Sequence, residues 1–284
     1  MKPAPFAYLR PTTLEEALTA LAAEPGAKVL AGGQSLVPLL SMRLAAPSML
    51  IDINALPDLG GIHVDASGVR IGALARHADV LASTEAAASQ PLLQRALSHV
   101  AHPTIRNRGT TVGSLVHADA AAEMPAVLRL LEGSVDVASV RGRRTIPAAE
   151  LFLGPLESTL AHDEIAVEAF FPALSPNGGI AFEEIARRHG DYAVAGVAAL
   201  VECDGDEVTS ARLGFVSVTD VPTVVDVSDH LDDAATAALA EVEPAEDIHA
   251  SADYRAHLVS VLTTRVLAAA IDHARSRAGR VRTP

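Results

Sequence analysis

Apolar residues recur along the chain with two periods, and the switches between them predict its elements. Leu14, Ala17, Leu18 and Leu21 fall on one helical face, and Pro25-Gly26 stops that helix. Thr12-Thr13-Leu14-Glu15 reads as a capping box, with Thr12 as the cap and Glu15 answering it. Apolar runs at 28–31 and 49–53 predict short strands, with a helix over 36–44 between them. Ile62-His63-Val64 and Val69-Arg70-Ile71 flank a polar Asp65-Ala66-Ser67-Gly68 turn and predict a hairpin. Helices are expected at 76–84, 91–100 and 121–131. A second hairpin is expected at 135–140 and 143–146, and a strand at 165–171. Residues 101–114, rich in Arg, Thr, Asn and Gly, read as an irregular loop.

Pro172 to Gly179 (PALSPNGG) is the clearest linker. Beyond it lie strand-like runs at 180–186, 192–203 and 207–218, then helices at about 232–241 and 252–277. Strands and helices mix without regular alternation, so the fold class is α+β rather than a doubly wound sheet.

Composition narrows the functional classes. A chain of 284 residues has room for two domains. Its net charge of −13 opposes binding to nucleic acid, which needs clustered Lys and Arg. The single cysteine, Cys203, cannot form an internal disulfide or hold an iron–sulfur cluster by itself. The longest apolar run, 192–201, falls short of the roughly 20 residues a membrane-spanning helix needs. No transmembrane segment is expected, and Met1 to Phe6 has no secretory pattern, so a cytoplasmic location is expected.

Four segments carry candidate chemistry. In Ala31-Gly32-Gly33-Gln34-Ser35-Leu36 a strand ends in paired glycines before a helix, an arrangement that offers amides to an anion; a plain strand–turn–helix joint is the bland alternative. Ile105-Arg106-Asn107-Arg108-Gly109-Thr110-Thr111-Val112-Gly113-Ser114-Leu115 concentrates backbone amides, three hydroxyls and two glycines suited to phosphate or ribityl oxygens, unless the hydroxyls cap their own backbone. His117 and Asp119, with Glu123 beyond, could line a cofactor pocket. No third ligand completes a metal site, and Asp119 could equally be a helix cap. Tyr192 opens a long Ala/Val run in a chain with six Phe, three Tyr and no Trp, and could pack on a planar ring or be an ordinary half-buried Tyr. No Gly-x-Gly and no P-loop occur, and Val37 stands where a hydrolase elbow would close with Gly.

In this order the segments resemble the FAD-binding medium subunits of the xanthine dehydrogenase and carbon monoxide dehydrogenase (molybdenum hydroxylase) family. Phe6-x-Tyr8-x-x-Pro11 looks like the family's opening, and Ala31 to Leu36 like its first flavin loop. Ile105-Arg106-Asn107 through Ser114-Leu115 and His117-Ala118-Asp119 looks like the second. Arg187-Arg188 and Asp191-Tyr192-Ala193 match the segment that approaches the flavin ring. Val112 departs from the family, which commonly has Gly there, and Ala120 stands where Pro is usual.

The resemblance implies a two-subdomain PCMH-type FAD-binding domain over 1–173, with subdomains of about 1–56 and 57–173, and a smaller α+β domain over 178–284. It implies an FAD site built from Ala31, Gly32, Gly33, Gln34, Ser35, Leu36, Thr110, Thr111, Gly113, Ser114, His117, Asp119, Glu123 and Tyr192, with no metal and no catalytic acid or base in this chain. Molybdopterin and 2Fe-2S clusters are expected only in partners: a large molybdopterin-binding subunit and a small iron–sulfur subunit, in a dimer of heterotrimers. The implied role is electron transfer from those clusters through FAD to a terminal acceptor. The competing expectations are a stand-alone flavin oxidoreductase of the same fold and an assembly subunit without FAD.

Overall fold

The computed structural model describes residues 2–281. Strands β1 (Ala7–Leu9), β2 (Ala27–Leu30) and β3 (Met49–Asp52) form a sheet with β3 central and both neighbours parallel to it. Parallel neighbours need crossovers; α1 (Leu14–Ala23) and α2 (Leu36–Met42) supply them. α1 buries Ala17, Leu18 and Leu21, as its period predicts. Its cap lies one residue later than expected: Thr13 Oγ1 accepts from Glu16 N at 3.2 Å, and Glu16 Oε2 accepts from Thr12 N at 3.0 Å. The first helical residue is Leu14, so the residue just before it takes the cap.

The second sheet is antiparallel. It comprises β4 (Ile62–Asp65), β5 (Gly68–Gly72), β6 (Ser134–Ser139), β7 (Gly142–Pro147) and β10 (Ile165–Pro172), in the order β4-β5-β10-β6-β7. Between β5 and β6 run α3 (His77–Ala82), α4 (Thr84–Ser89), α5 (Pro91–Leu97), α6 (Pro103–Arg106), α7 (Thr111–His117) and α8 (Glu123–Leu130). The helix expected over 76–84 breaks at Ser83, whose Oγ accepts from Ala86 N at 3.2 Å and starts α4. The loop expected over 101–114 contains α6 and the start of α7. Pro103 opens the first, and Thr110 caps the second by accepting from Gly113 N at 3.1 Å. Glycines and polar residues mask that helix in the sequence. α9 (Ala148–Leu151) and the hairpin β8 (Phe152–Gly154) with β9 (Glu157–Ser158) complete this region.

The third sheet joins β11 (Gly178–Ala186), β12 (Ala193–Asp204), β13 (Glu207–Val216) and β14 (Thr223–Asp226) in sequence order, all antiparallel. β14 is too short to stand out in the sequence. After α10 (Ala234–Glu241), the long α11 (Ala252–Val281) packs across this sheet over a core that includes Val197, Leu213, Phe215, Val259 and Leu262. A second and larger core holds the first two sheets and their helices together around Ile51, Ile71, Leu92, Leu128 and Phe171. Among the described residues, no helix is long and apolar enough to cross a membrane.

Candidate functional site

The site begins where β2 ends and the chain turns through Ala31 to Gln34 into α2. Gly33 has φ of +72°, a conformation that side chains rarely adopt. Gly32 is buried against another part of the chain: a Cβ there would stand 2.4 Å from the Arg108 carbonyl oxygen and 2.8 Å from Gly109 Cα. Two loops far apart in sequence therefore touch backbone to backbone. Among the described residues, the amides of Gly32, Gly33, Gln34 and Ser35 donate to no protein acceptor. The Ser35 hydroxyl does not cap α2 either, and half-buried Leu36 opens that helix. The Gln34 side chain folds back onto Gly32 O at 3.1 Å. A cleft of about 320 Å³ lies here, lined by Ala31 to Gln34, Asp52, Asn54 and Arg108 among others.

A polar network pins the two loops together. Asn54 Nδ2 donates to Ala31 O at 2.8 Å and to Asp52 Oδ1 at 2.6 Å. Tyr8 donates its hydroxyl to Asp52 Oδ2 at 2.5 Å. Burial alone would raise the Asp52 carboxyl, but the hydrogen bonds from Tyr8 and Asn54 outweigh it and hold the group below its ordinary range. Arg76 spans the gap, donating to Asn54 Oδ1 at 2.7 Å and to Arg108 O at 2.6 Å. Its neighbour His77 donates its amide to Gly109 O at 2.9 Å.

The second loop is more ordered than its composition suggests. Thr110 and Thr111 are both buried, and their hydroxyls are used internally. Thr110 caps α7, and Thr111 Oγ1 meets His77 Nδ1 at 3.2 Å. Burial, then the nearby Arg106, lowers His77 to about 4, so this imidazole is neutral at ordinary pH. Gly113 and Ser114 lie on the first turns of α7, half-buried. Val112 is 2% exposed and belongs to the main core. Its side chain points into the protein from a helical position, so no glycine is required there.

α7 runs for about 10 Å over seven residues to His117. Ala118 follows in the left-handed conformation, and Asp119 Oδ1 accepts from Ala121 N at 3.0 Å, turning the chain into α8. Asp119 thus closes a turn ahead of α8 and is not its cap, since Ala122 stands in that position. Glu123, the first residue of α8, is buried. Burial, then the charges of Glu184 and Asp119, push its carboxyl up to about 8, so it carries a proton at neutral pH. Glu184 comes from β11; its Oε1 lies 3.4 Å from His99 Nδ1, while its buried Oε2 has no partner. Tyr192 is 65% exposed; desolvation, then the charges of Asp119 and Glu123, raise its pKa and make the phenol harder to ionise. The structure therefore brings Asp119, Glu123 and Tyr192 together, with Ala126 and Ala193 packed beside them. Half-buried His117 ends the helix that links this group to the glycine turn.

Residues 4–174 match the FAD binding domain in molybdopterin dehydrogenase, and 180–230 and 227–270 match the CO dehydrogenase flavoprotein C-terminal domain. The chain belongs to that family. It is 40% identical over 288 residues to the 6-hydroxypseudooxynicotine dehydrogenase complex subunit alpha of Paenarthrobacter nicotinovorans, covering 97% of each chain. It is likewise 40% identical to the nicotine 6-hydroxylase medium subunit of the same organism, covering 94% of this chain and 98% of that one. Carbon monoxide dehydrogenase from Hydrogenophaga pseudoflava superposes with a TM-score of 0.90 at 35% identity, over 96% of this chain and 99% of that chain. The protein is an FAD-binding medium subunit of the molybdenum hydroxylase type. It belongs to the oxidoreductases and takes FAD as its cofactor.

Asp52, Asn54, Arg76 and Glu184 were not among the residues singled out from the sequence, and Arg108 lay inside the second candidate loop without a role of its own. The Asp52-Ile53-Asn54 pair at a strand end is a visible polar signal, because Asx side chains there tie down neighbouring backbone. Nothing local marks Arg76 or Glu184, whose partners are supplied by other elements.

Proposed function

We propose that this subunit relays electrons, receiving them from iron–sulfur clusters of a small subunit and passing them to a terminal acceptor, within a complex whose large subunit holds molybdopterin. In this reading, regions of about 1–56 and 57–173 grip FAD between them, residues 178–284 close over its ring system, and the complex is a dimer of heterotrimers in the cytoplasm. The observation that carries the reading is the seating of Gly32 on Arg108–Gly109, beside a cleft edged by unpaired amides. A cradle that one Cβ would fill suits a close-approaching pyrophosphate.

The assignment then follows the geometry. Amides from Gly32 to Ser35 and the hydroxyl of Ser35 face phosphate oxygens, with Ala31 and Leu36 shaping the turn. Thr110, Thr111, Gly113 and Ser114 shape the wall of the site around the start of α7, since both threonine hydroxyls and the amides of Thr111, Gly113 and Ser114 are committed inside. His117 and Asp119 line the far end of α7. Glu123, protonated at neutral pH, donates a hydrogen bond to a cofactor acceptor, and Tyr192 lies against the ring. Bound FAD supplies the capacity to take up electrons singly and release them singly or in pairs. The chain's residues bind and orient it, and none is required as a general acid, base or nucleophile.

The full chain, purified with its partner subunits, is expected to carry FAD in near one-to-one ratio and to be reduced when the molybdenum subunit receives its substrate. A complex whose turnover is unaffected by removing the flavin, or a chain that takes up no FAD, would overturn the reading.

A further inference from the structure

The chain carries a net charge of −13, yet its cleft must accommodate a doubly negative pyrophosphate if the proposed function holds. Amides alone supply partial charges; a site in an acidic protein also needs a cation, or the general field opposes the ligand. Among the cleft's described lining residues, Arg108 is the one that bears a positive charge, and Asp52 opposes it with a carboxylate already engaged by Tyr8 and Asn54.

We propose that Arg108 is the cationic ligand of the cofactor's pyrophosphate, completing the cradle of amides from Gly32 to Ser35, and that Arg76 positions it. This rests on the flavin reading above and deepens it. The backbone of Arg108 is held from both sides: its carbonyl oxygen accepts from Arg76 at 2.6 Å, and it stands in the space beside Gly32 Cα. Among the described residues the exposed Arg108 guanidinium has no hydrogen-bond acceptor, and the hydrogen bonds of this residue are made by its main chain. Arg76 is a different kind of group, because both of its terminal nitrogens are already committed to Asn54 and Arg108. Desolvation, and then repulsion from Arg108, make Arg76 easier to deprotonate than a free arginine. An anion placed between the Gly32 turn and Arg108 relieves that repulsion. Phosphate recognition by a planar, pre-positioned guanidinium is the usual reason for an Arg rather than a Lys at such a place.

The test uses the full chain stripped of flavin and titrated with FAD, with ADP and with riboflavin, which lacks any phosphate. Arg108→Gln keeps the backbone contacts, so folding is preserved; matched thermal melts of the flavin-free proteins check this. FAD and ADP binding should weaken by about tenfold or more, riboflavin binding should stay within about twofold, and Arg108→Lys should recover part of the loss. The salt dependence of FAD binding should also be shallower in Arg108→Gln than in the unmodified chain. Unchanged FAD affinity in Arg108→Gln overturns the inference, as does an equal loss for riboflavin. Failure of the unmodified chain to bind FAD refutes the flavin reading instead, which separates the two.

Discussion

The two ends of α7 face opposite problems. At its N-terminal end the chain builds an open, cationic cradle from backbone amides, and the side chains around it work mainly to hold two loops together. At its C-terminal end it builds an acidic corner, where the Glu123 and Glu184 side chains are buried and only the imidazole of His99 stands by Glu184. The first end relies on backbone amides and one guanidinium, and it has no room for added volume at Gly32. The second keeps its shape by holding a proton. One short helix thus couples a site governed by backbone geometry to a site governed by protonation.

The sharpest way to break this comparison is volume at the first end. In Gly32→Val the new side chain meets backbone at Arg108, which cannot swing away as a flexible side chain would. FAD retention should fall by about a hundredfold or more, read as flavin absorbance remaining after gel filtration. A variant that keeps its flavin would show that the two loops do not jointly form the site.

The next effect lies at the acidic end and depends on pH. The folded pKa of Glu123 is raised from 4.5 to about 8. The folded state therefore binds more protons than the unfolded one between those values, and the stabilisation present below about 4.5 is lost as pH rises through about 8. Glu123→Gln should flatten this part of the stability–pH curve of the flavin-free chain, measured by denaturant unfolding at pH 5 and pH 8. An identical slope in both proteins would mean that Glu123 is ionised in the folded state. His77 has the opposite sign: lowered to about 4, it stabilises above about 6.5 and ceases to as pH falls towards 4. The two windows overlap with opposite signs between about 4.5 and 6.5, so the range from about 6.5 to about 8 reports on Glu123 without His77.

The smallest effect is expected from the network that holds the loops. Arg76→Met removes the hydrogen bonds to Asn54 and Arg108. It should cost about 1–3 kcal/mol of stability and weaken FAD binding less than Gly32→Val does. Should it equal the glycine variant, the network rather than the close approach would be the main determinant of the cradle.

Much of this was legible in the sequence because it is local. The paired glycines after an apolar strand, the two hairpins with their turn residues, and the Ala/Val run of β12 each carry their own signal over a few residues. So does the linker before β11. The second loop was read only in part. Its hydroxyls and glycines were visible, but Thr110 caps a helix, Thr111 turns inward to His77 and Val112 faces the core, because α7 begins there. A short helix with two polar residues and a glycine in its first turns has no apolar period strong enough to reveal itself.

What the amino-acid order determined by itself was the succession of elements, the family resemblance and the two candidate loops, since these follow from period, turn chemistry and motif within short windows. The tertiary structure decided which backbone stands beside Gly32 and that Arg76 bridges Asn54 to Arg108. It also decided that Glu184, from a later sheet, raises the pKa of Glu123. Those depend on distances between segments tens of residues apart. Local patterns set each segment's own geometry, and only packing brings one segment's charge or carbonyl against another's.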